Sequence, residues 1–329
     1  MVTMPTLSAE EDPTTCESAG LEWTARAEPL RFRVGEIELF AAPLELLVCT
    51  SPFVSVRANA PLAHLPALSP GQHGYLVRSL PVDSVPARLS RRDGFLCYVP
   101  KCYRHRFIRF DIGYEAYLSQ FSGKTRSTLR RKARKFASES GGELDFRCYR
   151  GRAQLEEFYR LARPLSSKTY QERLLDSGLP DDQSFRAELS AAGERDLARA
   201  FLLFFKGQPA AYLYAPLTER SLIYEYLGFD PALSALSPGT VLQWEALKVL
   251  FQEPDLEIFD FTEGDAPHKS LFANDSQLVA NIYLLKPGLR TACLANCHRA
   301  FESATNLAAK ASDRLGVKQK LKAIIRSRA

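Results

Sequence analysis

The chain has 329 residues, of which 46% are hydrophobic and 25% are charged, and its formal net charge is +5. A chain of this length predicts two domains of about 150 residues each, and its composition excludes a fibrous or wholly disordered protein. The longest strongly apolar run, residues 201–205, has five residues, whereas a helix needs about 20 apolar residues to span a bilayer. The sequence therefore excludes a membrane-spanning helix as well.

The N-terminal region, residues 1–25, is acidic and aperiodic, so we predict a mobile leader there. Its first twelve residues include three acids and no basic residue, which is unlike a signal peptide. The seven cysteines of the chain are odd in number and scattered, a pattern typical of reduced thiols. Together these features predict a cytoplasmic protein.

Two groups of residues contain potential metal ligands. They are Cys97 with Cys102 and His105, and Cys293 with Cys297 and His298. Neither group has the paired cysteine spacing of a structural zinc site, so we expect no metal.

Short apolar segments punctuated by proline and glycine run from about residue 30 to about residue 110. They predict strands over residues 37–40, 46–49, 53–56, 95–99 and 107–110. Because few helical patterns lie between them, we expect a small mixed sheet. We assign it to a first domain over residues 26–113.

Residues 114–140 follow a helical pattern that Gly141 and Gly142 end, so we predict a linker helix over 114–142. Seven basic residues and no acid lie within positions 124–135. Such a block binds anions or simply forms a solvated helix face, and we name Arg126 and Arg130 as candidates to bind an anionic substrate. The block lacks aromatic residues on which bases could stack, so nucleic acid is not a favoured partner.

The following region predicts a second domain over residues 143–290. A strand over 144–149 and two helices precede three strands, over 198–205, 209–215 and 221–227, of which the first two should form an antiparallel hairpin. Ser237 then opens a helix, and strands follow over 256–261 and 278–285. This order is typical of an α+β fold with a central mixed sheet.

The last region, residues 291–329, is basic: from residue 286 onward there are ten basic residues and two acids. Its apolar residues predict a broken amphipathic helix, interrupted by Gly316. Such a helix docks on its own protein or lies on an anionic membrane surface, so the inner face of the membrane stays open as a peripheral location.

Four short segments together resemble a known family. They are Gly123-Lys124-Thr125-Arg126, Glu225-Tyr226-Leu227-Gly228, Ser237-Pro238-Gly239, and Phe259-Asp260-Phe261-Thr262-Glu263 followed by His268-Lys269. In order and spacing they resemble the CelD-like acyltransferases of the GNAT superfamily, which are related to Fem-type aminoacyl transferases. The resemblance covers about half of the chain. The family usually has a Tyr-Lys pair where this sequence has His268-Lys269.

The resemblance implies an α+β fold in which a GNAT-type mixed central sheet is flanked by helices, with a degenerate N-terminal copy in tandem. It further implies transfer of an acyl group from an acyl-coenzyme A or acyl carrier protein thioester to an amine or hydroxyl acceptor. The thioester is then a substrate, and no permanently bound cofactor is expected. Two alternatives are a long-chain N-acyltransferase of lipid synthesis at the membrane surface and a non-catalytic RNA-binding module.

Candidate catalytic residues lie at or just beyond the end of one apolar strand. We expect Asp260 and His268 to position the acceptor and remove its proton, and Lys269 to stabilise developing negative charge. Glu263, in the same segment, is a candidate for substrate binding. The competing interpretations are a hydrogen-bonded structural aspartate, a surface histidine and a solvated lysine.

The helix opened by Ser237 is a candidate binding site for the donor phosphate. Its free N–H groups and dipole can hold a pyrophosphate at Ser237, Gly239 and Thr240, although most helix caps bind nothing. A glycine-rich phosphate loop is not evident, which leaves carrier-protein thioesters and aminoacyl-tRNA as other donors. On the preceding strand, Tyr224, Glu225 and Tyr226 are candidates for acceptor recognition or core packing; alternation places the two tyrosines on one face.

Overall fold

The computed structural model describes residues 15–18, 21–35, 37–58, 61–169, 178–264 and 266–314. The chain divides into two compact units, one comprising Met1–Tyr103 with Leu278–Ala329 and the other Arg104–Gln277. These units differ in their limits from the domains predicted from the sequence. Most of the predicted leader, and the tail beyond residue 314, lie outside the described residues.

The strands of the described residues are β1 (Thr15–Ser18), β2 (Leu21–Ala27), β3 (Leu30–Val34), β4 (Ile37–Ala42), β5 (Glu45–Cys49), β6 (Gly74–Pro81), β7 (Leu89–Arg92), β8 (Phe95–Arg109), β9 (Asp145–Tyr149), β10 (Ala198–Phe205), β11 (Gln208–Thr218), β12 (Ser221–Ile223), β13 (Tyr226–Phe229), β14 (Ile258–Asp260) and β15 (Asp275–Leu285). The helices are α1 (Phe53–Ala58), α2 (Tyr114–Ser119), α3 (Gly123–Ser140), α4 (Arg152–Ser166), α5 (Gln183–Glu194), α6 (Pro238–Leu250), α7 (Pro267–Phe272) and α8 (Leu289–Arg314). A 3-10 helix spans Pro231–Leu236.

The first unit is built on strands β1, β2, β5, β6 and β15, adjacent in that order. The pair β5 and β6 is parallel, and the other neighbours are antiparallel. The strand predicted over 53–56 is wrong, because this segment is helix α1. Its buried residues Phe53 and Val56 are three positions apart, which places them on one face of a helix.

Helix α8 packs within the first unit against the two-stranded β3–β4 sheet. The ring of Phe32 lies 5.6 Å from Phe40 and 5.3 Å from Phe301 of α8. His298 of α8 is buried. Its Nδ1 forms a hydrogen bond of 2.6 Å with the Tyr98 hydroxyl. The described part of the predicted basic tail is therefore docked on its own protein.

The second unit contains a mixed sheet in the order β8 (from Arg104), β14, β12, β11, β10 and β9. The pair β12 and β14 is parallel, and the other neighbours in this order are antiparallel. The predicted hairpin of β10 and β11 is confirmed. Its turn places Lys206 and Gly207 at positive φ, which suits the two central residues of a tight hairpin.

Helices cover both faces of this sheet. Successive residues of β10 point to opposite sides of the sheet and are apolar on both, so each side has to be buried. Phe201 and Leu203 pack in a core with α3 and α6, whereas Leu202 and Phe204 pack in a second core with α4 and α5. The segment 114–140, predicted as one helix, forms the two helices α2 and α3. Both belong to the second unit.

The strand predicted over 221–227 is divided into β12 and β13. At the break, the Tyr224 backbone N–H donates to the carbonyl of Asp260 at 2.8 Å. Strand β12 lies between β11 and β14, whereas β13 pairs with β11 and with no other strand of the described residues. The chain therefore leaves a gap on the free side of β13, at the entrance to α6.

In the part of the chain that the structure describes, no helix combines the length and apolar character needed to cross a membrane.

Candidate active site

A cavity of about 260 Å³ lies in the second unit, on the free side of β13. Its walls come from the residue after β12, from β13, from the 3-10 helix, from the first turns of α6 and from α7. The lining residues are Tyr224, Leu227, Phe229, Ser234, Ser237, Gly239, Thr240, Gln243 and His268. The structure thus brings together the predicted phosphate-binding residues, Tyr224 and His268.

The N-terminus of α6 opens toward this cavity. Ser237 has a left-handed backbone (φ 54°) and its side chain does not cap the helix. Its carbonyl accepts the N–H groups of Thr240 and Val241 at 3.0 and 3.1 Å. Gly239 lies so close to β13 that a Cβ atom there would be 3.4 Å from the side chains of Leu227 and Phe229. The positive end of the helix dipole therefore meets the cavity without a side-chain cap, a geometry that suits an anion.

His268, on α7, packs its ring 5.5 Å from the ring of Tyr224. Its Nε2 atom is buried and has no hydrogen-bond partner among the described residues. Burial, and then the charge of Lys269, lower the pKa of this imidazole below its usual value of 6.5. His268 therefore presents a neutral imidazole, the form that accepts a proton, beside the cavity.

Gln243, on α6, is a cavity residue that the sequence reasoning missed. It is only 2% exposed, and its Nε2 has no hydrogen-bond partner within the described part of the chain. The only sequence signal is a polar residue within the apolar run Val241-Leu242-Gln243-Trp244, one turn after Gly239. A buried amide of this kind needs an explanation, since such groups are normally hydrogen-bonded.

Asp260, predicted to be catalytic, is buried and already has hydrogen-bond partners. Its Oδ1 lies 2.6 Å from Nε2 of His105 and accepts the backbone N–H of Thr262 at 2.7 Å. The carboxylate therefore holds the start of the loop that leads to α7. His105, considered above as a metal ligand, is used here in this pair.

Lys269 is also buried, with 7% of its surface exposed, and its Nζ donates to the backbone carbonyl of Glu263 at 2.7 Å. The loop around the ammonium group has positive φ at Thr262 and Gly264. Lys269 thus fixes the loop next to His268. The side chain of Glu263 is exposed and does not line the cavity.

The three candidate residues after β12 are separated by the break in the strand. Tyr224 lines the cavity and packs 5.5 Å from the ring of Phe261. Tyr226 packs 5.7 Å from Phe185 in the other core, and Glu225 is exposed. The prediction that the two tyrosines share one face is wrong, because the chain leaves the regular strand between them.

Most residues of the basic block are exposed on α3, whose buried face carries Leu129, Ala133 and Phe136. Arg126 is half-buried. Arg126 and Arg130 are four residues apart, so they lie on one side of the helix. Within the described residues, Arg126 and Arg130 form no ion pair. Lys135 of the same block contacts Glu139 at 3.7 Å. Helix α3 packs against the 3-10 helix that contributes Ser234 to the cavity wall.

No group of three or more metal-binding side chains occurs among the residues that the structure describes.

Comparison with known proteins gives a class for this site. Residues 123–270 match the family model described as an acetyltransferase (GNAT) domain. No curated protein matches the chain. Residues 123–270 are therefore similar to a transferase domain of the GNAT type. The predicted α+β fold with a mixed sheet flanked by helices is confirmed. The finer resemblance to CelD-like acyltransferases stays a prediction.

Several solved structures are similar to the chain. The C-terminal domain of a putative lysylphosphatidylglycerol synthetase from Agrobacterium fabrum is 12% identical, with 70% of this chain and 72% of that chain covered and a TM-score of 0.46. FemX is 14% identical, with coverage of 80% and 89% and a TM-score of 0.44. A tandem GNAT protein from the clavulanic acid biosynthesis pathway is 12% identical, with coverage of 66% of each chain and a TM-score of 0.35.

Proposed function

We propose that the protein is an N-acyltransferase that moves a short acyl group from an acyl-coenzyme A or acyl carrier protein thioester to an amine. The observation that carries the proposal is the buried Nε2 of His268, which has no hydrogen-bond partner among the residues described, beside a cavity that begins at the N-terminus of α6. One end of the cavity suits a phosphate, and the other offers a neutral base. An acyl thioester on a phosphopantetheine arm needs both.

The donor phosphate is assigned to the first turn of α6, at Ser237, Gly239 and Thr240, where the positive end of the helix dipole attracts an anion. Tyr224 and Phe229 both line the cavity. They are five residues apart, so their Cα atoms are separated by at most about 16 Å. A pantetheine arm has about 13 bonds between phosphorus and sulfur, or about 16 Å at the advance per bond of an extended chain. The thioester then lies near Tyr224 and His268.

In the proposed reaction, the acceptor nitrogen attacks the thioester carbonyl while its proton passes to Nε2 of His268. The new C–N bond forms, the C–S bond breaks, and the imidazolium returns the proton to the leaving thiolate, so that the products are an amide and a free thiol. General base catalysis of this kind contributes about 10²- to 10⁴-fold to the rate. Tyr224, which lines the cavity, contacts the reacting groups, whereas Glu225, Tyr226 and Glu263 do not line the cavity and have no role in this step.

Asp260 and Lys269 act in this proposal as positioning residues. Both are buried, and both hold the loop between β14 and α7 that carries His268. The half-buried Arg126 and the exposed Arg130 of α3 attract the anionic donor.

The cavity size favours a short acyl group over the long-chain alternative. Small-molecule sites usually have about 300–1,000 Å³, and 260 Å³ lies below this range. A donor arm takes up much of this space, which favours a short acyl chain. Coenzyme A and carrier-protein thioesters are both consistent with this size.

The test is an acyl-transfer assay on the full chain, with acetyl- to palmitoyl-coenzyme A as donors, a panel of amines and alcohols as acceptors, and mass spectrometry of the products. We expect amide formation with short donors, and a loss of about 10²-fold or more in kcat for His268→Gln. The matched control is His64→Gln, a substitution at an exposed histidine of the first unit, which should leave kcat unchanged. Transfer by His268→Gln at the wild-type rate, or no transfer by the wild type from any donor, would contradict the proposal.

A further inference from the structure

The buried amide of Gln243 is the polar group in the cavity that the proposed reaction does not use. Gln243 is 2% exposed, and its Nε2 has no hydrogen-bond partner among the described residues. An amide donor left unsatisfied in this way destabilises a protein. A side chain that is destabilising in the free protein is expected where a ligand completes its hydrogen bonds.

The position of Gln243 indicates which ligand atom it contacts. It follows Gly239 by four residues, so it lies on the same side of α6, one helical turn or about 5.4 Å farther from the N-terminus. In a phosphopantetheine arm, the first amide carbonyl is about five bonds from phosphorus, or about 6 Å. A phosphate bound at the first turn therefore places this carbonyl at the level of Gln243.

The surrounding surface agrees with the chemistry of that part of the arm. Between phosphorus and the first amide, the arm carries two methyl groups and one hydroxyl group. The apolar side chains of Leu227 and Phe229 line the cavity next to Gly239. A neutral amide donor suits a neutral carbonyl acceptor, and the apolar wall suits the methyl groups.

We propose that Gln243 is a specificity-determining residue that donates a hydrogen bond from Nε2 to the first amide carbonyl of the donor's pantetheine arm. This inference rests on the proposed function, since it takes the phosphate position at Ser237 to Thr240 as given. It assigns the donor to phosphopantetheine thioesters, whose first amide carbonyl lies about five bonds from a phosphate.

The test measures binding by calorimetry with three probes on the full chain: coenzyme A, 4′-phosphopantetheine, and adenosine 3′,5′-diphosphate, which lacks the arm. Gln243→Met removes the donor and keeps the side-chain length. We expect this substitution to weaken the binding of coenzyme A and 4′-phosphopantetheine about tenfold to hundredfold. The binding of adenosine 3′,5′-diphosphate should stay unchanged. The matched control, Gln252→Met, makes the same substitution at an exposed position just after the same helix and should change none of the three.

Thermal unfolding of the ligand-free protein gives a second readout. Because Gln243→Met removes an unsatisfied buried amide, its Tm should equal or exceed that of the wild type. A structural role predicts the opposite, namely a Tm lower by about 2 °C or more. Gln243→Leu is a second variant, and failure of both variants to fold would overturn the inference.

The outcomes separate this inference from the proposed function. If the wild type binds coenzyme A and transfers acyl groups, but Gln243→Met binds all three probes with wild-type affinity, the role of Gln243 is wrong and the proposed function stands. If Gln243→Met weakened the binding of adenosine 3′,5′-diphosphate as much as that of coenzyme A, the role of Gln243 would also be wrong. If the wild type binds none of the probes and transfers nothing, the proposed function fails and this inference fails with it.

Discussion

Nε2 of His105 lies 2.6 Å from Oδ1 of Asp260, and the two side chains are only 2% and 4% exposed. They come from β8 and β14, neighbouring antiparallel strands in which Phe107 is the register partner of Asp260. Because the same oxygen accepts the N–H of Thr262, this pair connects the sheet to the loop before α7. The geometry of His268 therefore depends on a contact between two strands.

The first prediction concerns this pair. Asp260→Ala and His105→Ala should each destabilise the protein by about 1–3 kcal/mol, since each leaves a buried polar group without its partner. The double variant should lose less stability than the two single variants lose together, by a coupling energy of about 1 kcal/mol or more. Urea unfolding measures all three, and Asp255→Ala, at an exposed position, is the control. Strictly additive losses would show that the two side chains do not stabilise each other.

The second prediction concerns the pH dependence contributed by His268. Its pKa is lowered from 6.5 by burial and by Lys269, so between the lowered pKa and about 6.5 the unfolded chain binds more protons than the folded one. Stability should therefore rise with pH across that window. The acid limb of kcat/KM should have its midpoint below 6.5, where the base becomes protonated.

Wild type and His268→Gln are compared with the same acceptor, so that the acceptor's own titration appears in both profiles. The acid limb should be missing from the residual activity of the variant. An acid limb at or above pH 6.5 in the wild type, or an unchanged limb in the variant, would contradict the assignment of His268 as the base.

The third prediction separates the charge of Lys269 from its hydrogen bond. Lys269→Met removes the bond from Nζ to the Glu263 carbonyl and should cost about 1–3 kcal/mol of stability. It also removes the second cause of the lowered pKa of His268, so the acid limb of kcat/KM should move to higher pH. Lys269→Arg keeps the charge and should leave the limb in place. A shift in the arginine variant equal to that in the methionine variant would mean that charge is not the cause.

The fourth prediction concerns Arg126 and Arg130 of α3. Arg126→Glu and Arg130→Glu should each weaken coenzyme A binding by up to about fivefold, or about 1 kcal/mol for an exposed charge, and added salt should reduce the effect. Stability should not fall, because the two arginines repel each other across one helical turn.

Arg131→Glu is the matched control, since this exposed residue points about 100° away from Arg130 on the same helix. Equal effects of all three substitutions would indicate a general charge effect and would contradict a specific role for Arg126 and Arg130.

Features of the fold that depend on neighbouring residues could be predicted from the sequence. The turn at Lys206-Gly207 predicts the β10–β11 hairpin, and Ser237-Pro238 predicts the start of α6, because turn and cap preferences are set within a few residues. The segment 53–56 shows the limit of such reasoning. A short apolar run is compatible with a strand or a buried helix, and only its packing in the first unit decides for α1.

The sequence by itself determined which segments are apolar, where α6 begins, and that polar residues follow the β14 strand. Only the tertiary structure decided what those residues contact. Asp260 is joined to His105 across 155 positions of the chain. The cavity beside β13 contains Gln243 and His268, whose Nε2 atoms have no hydrogen-bond partner in the part of the chain that the structure describes. Local preferences extend over a few residues, whereas side-chain partners are set by the register of strands distant in sequence, and no local pattern records that register.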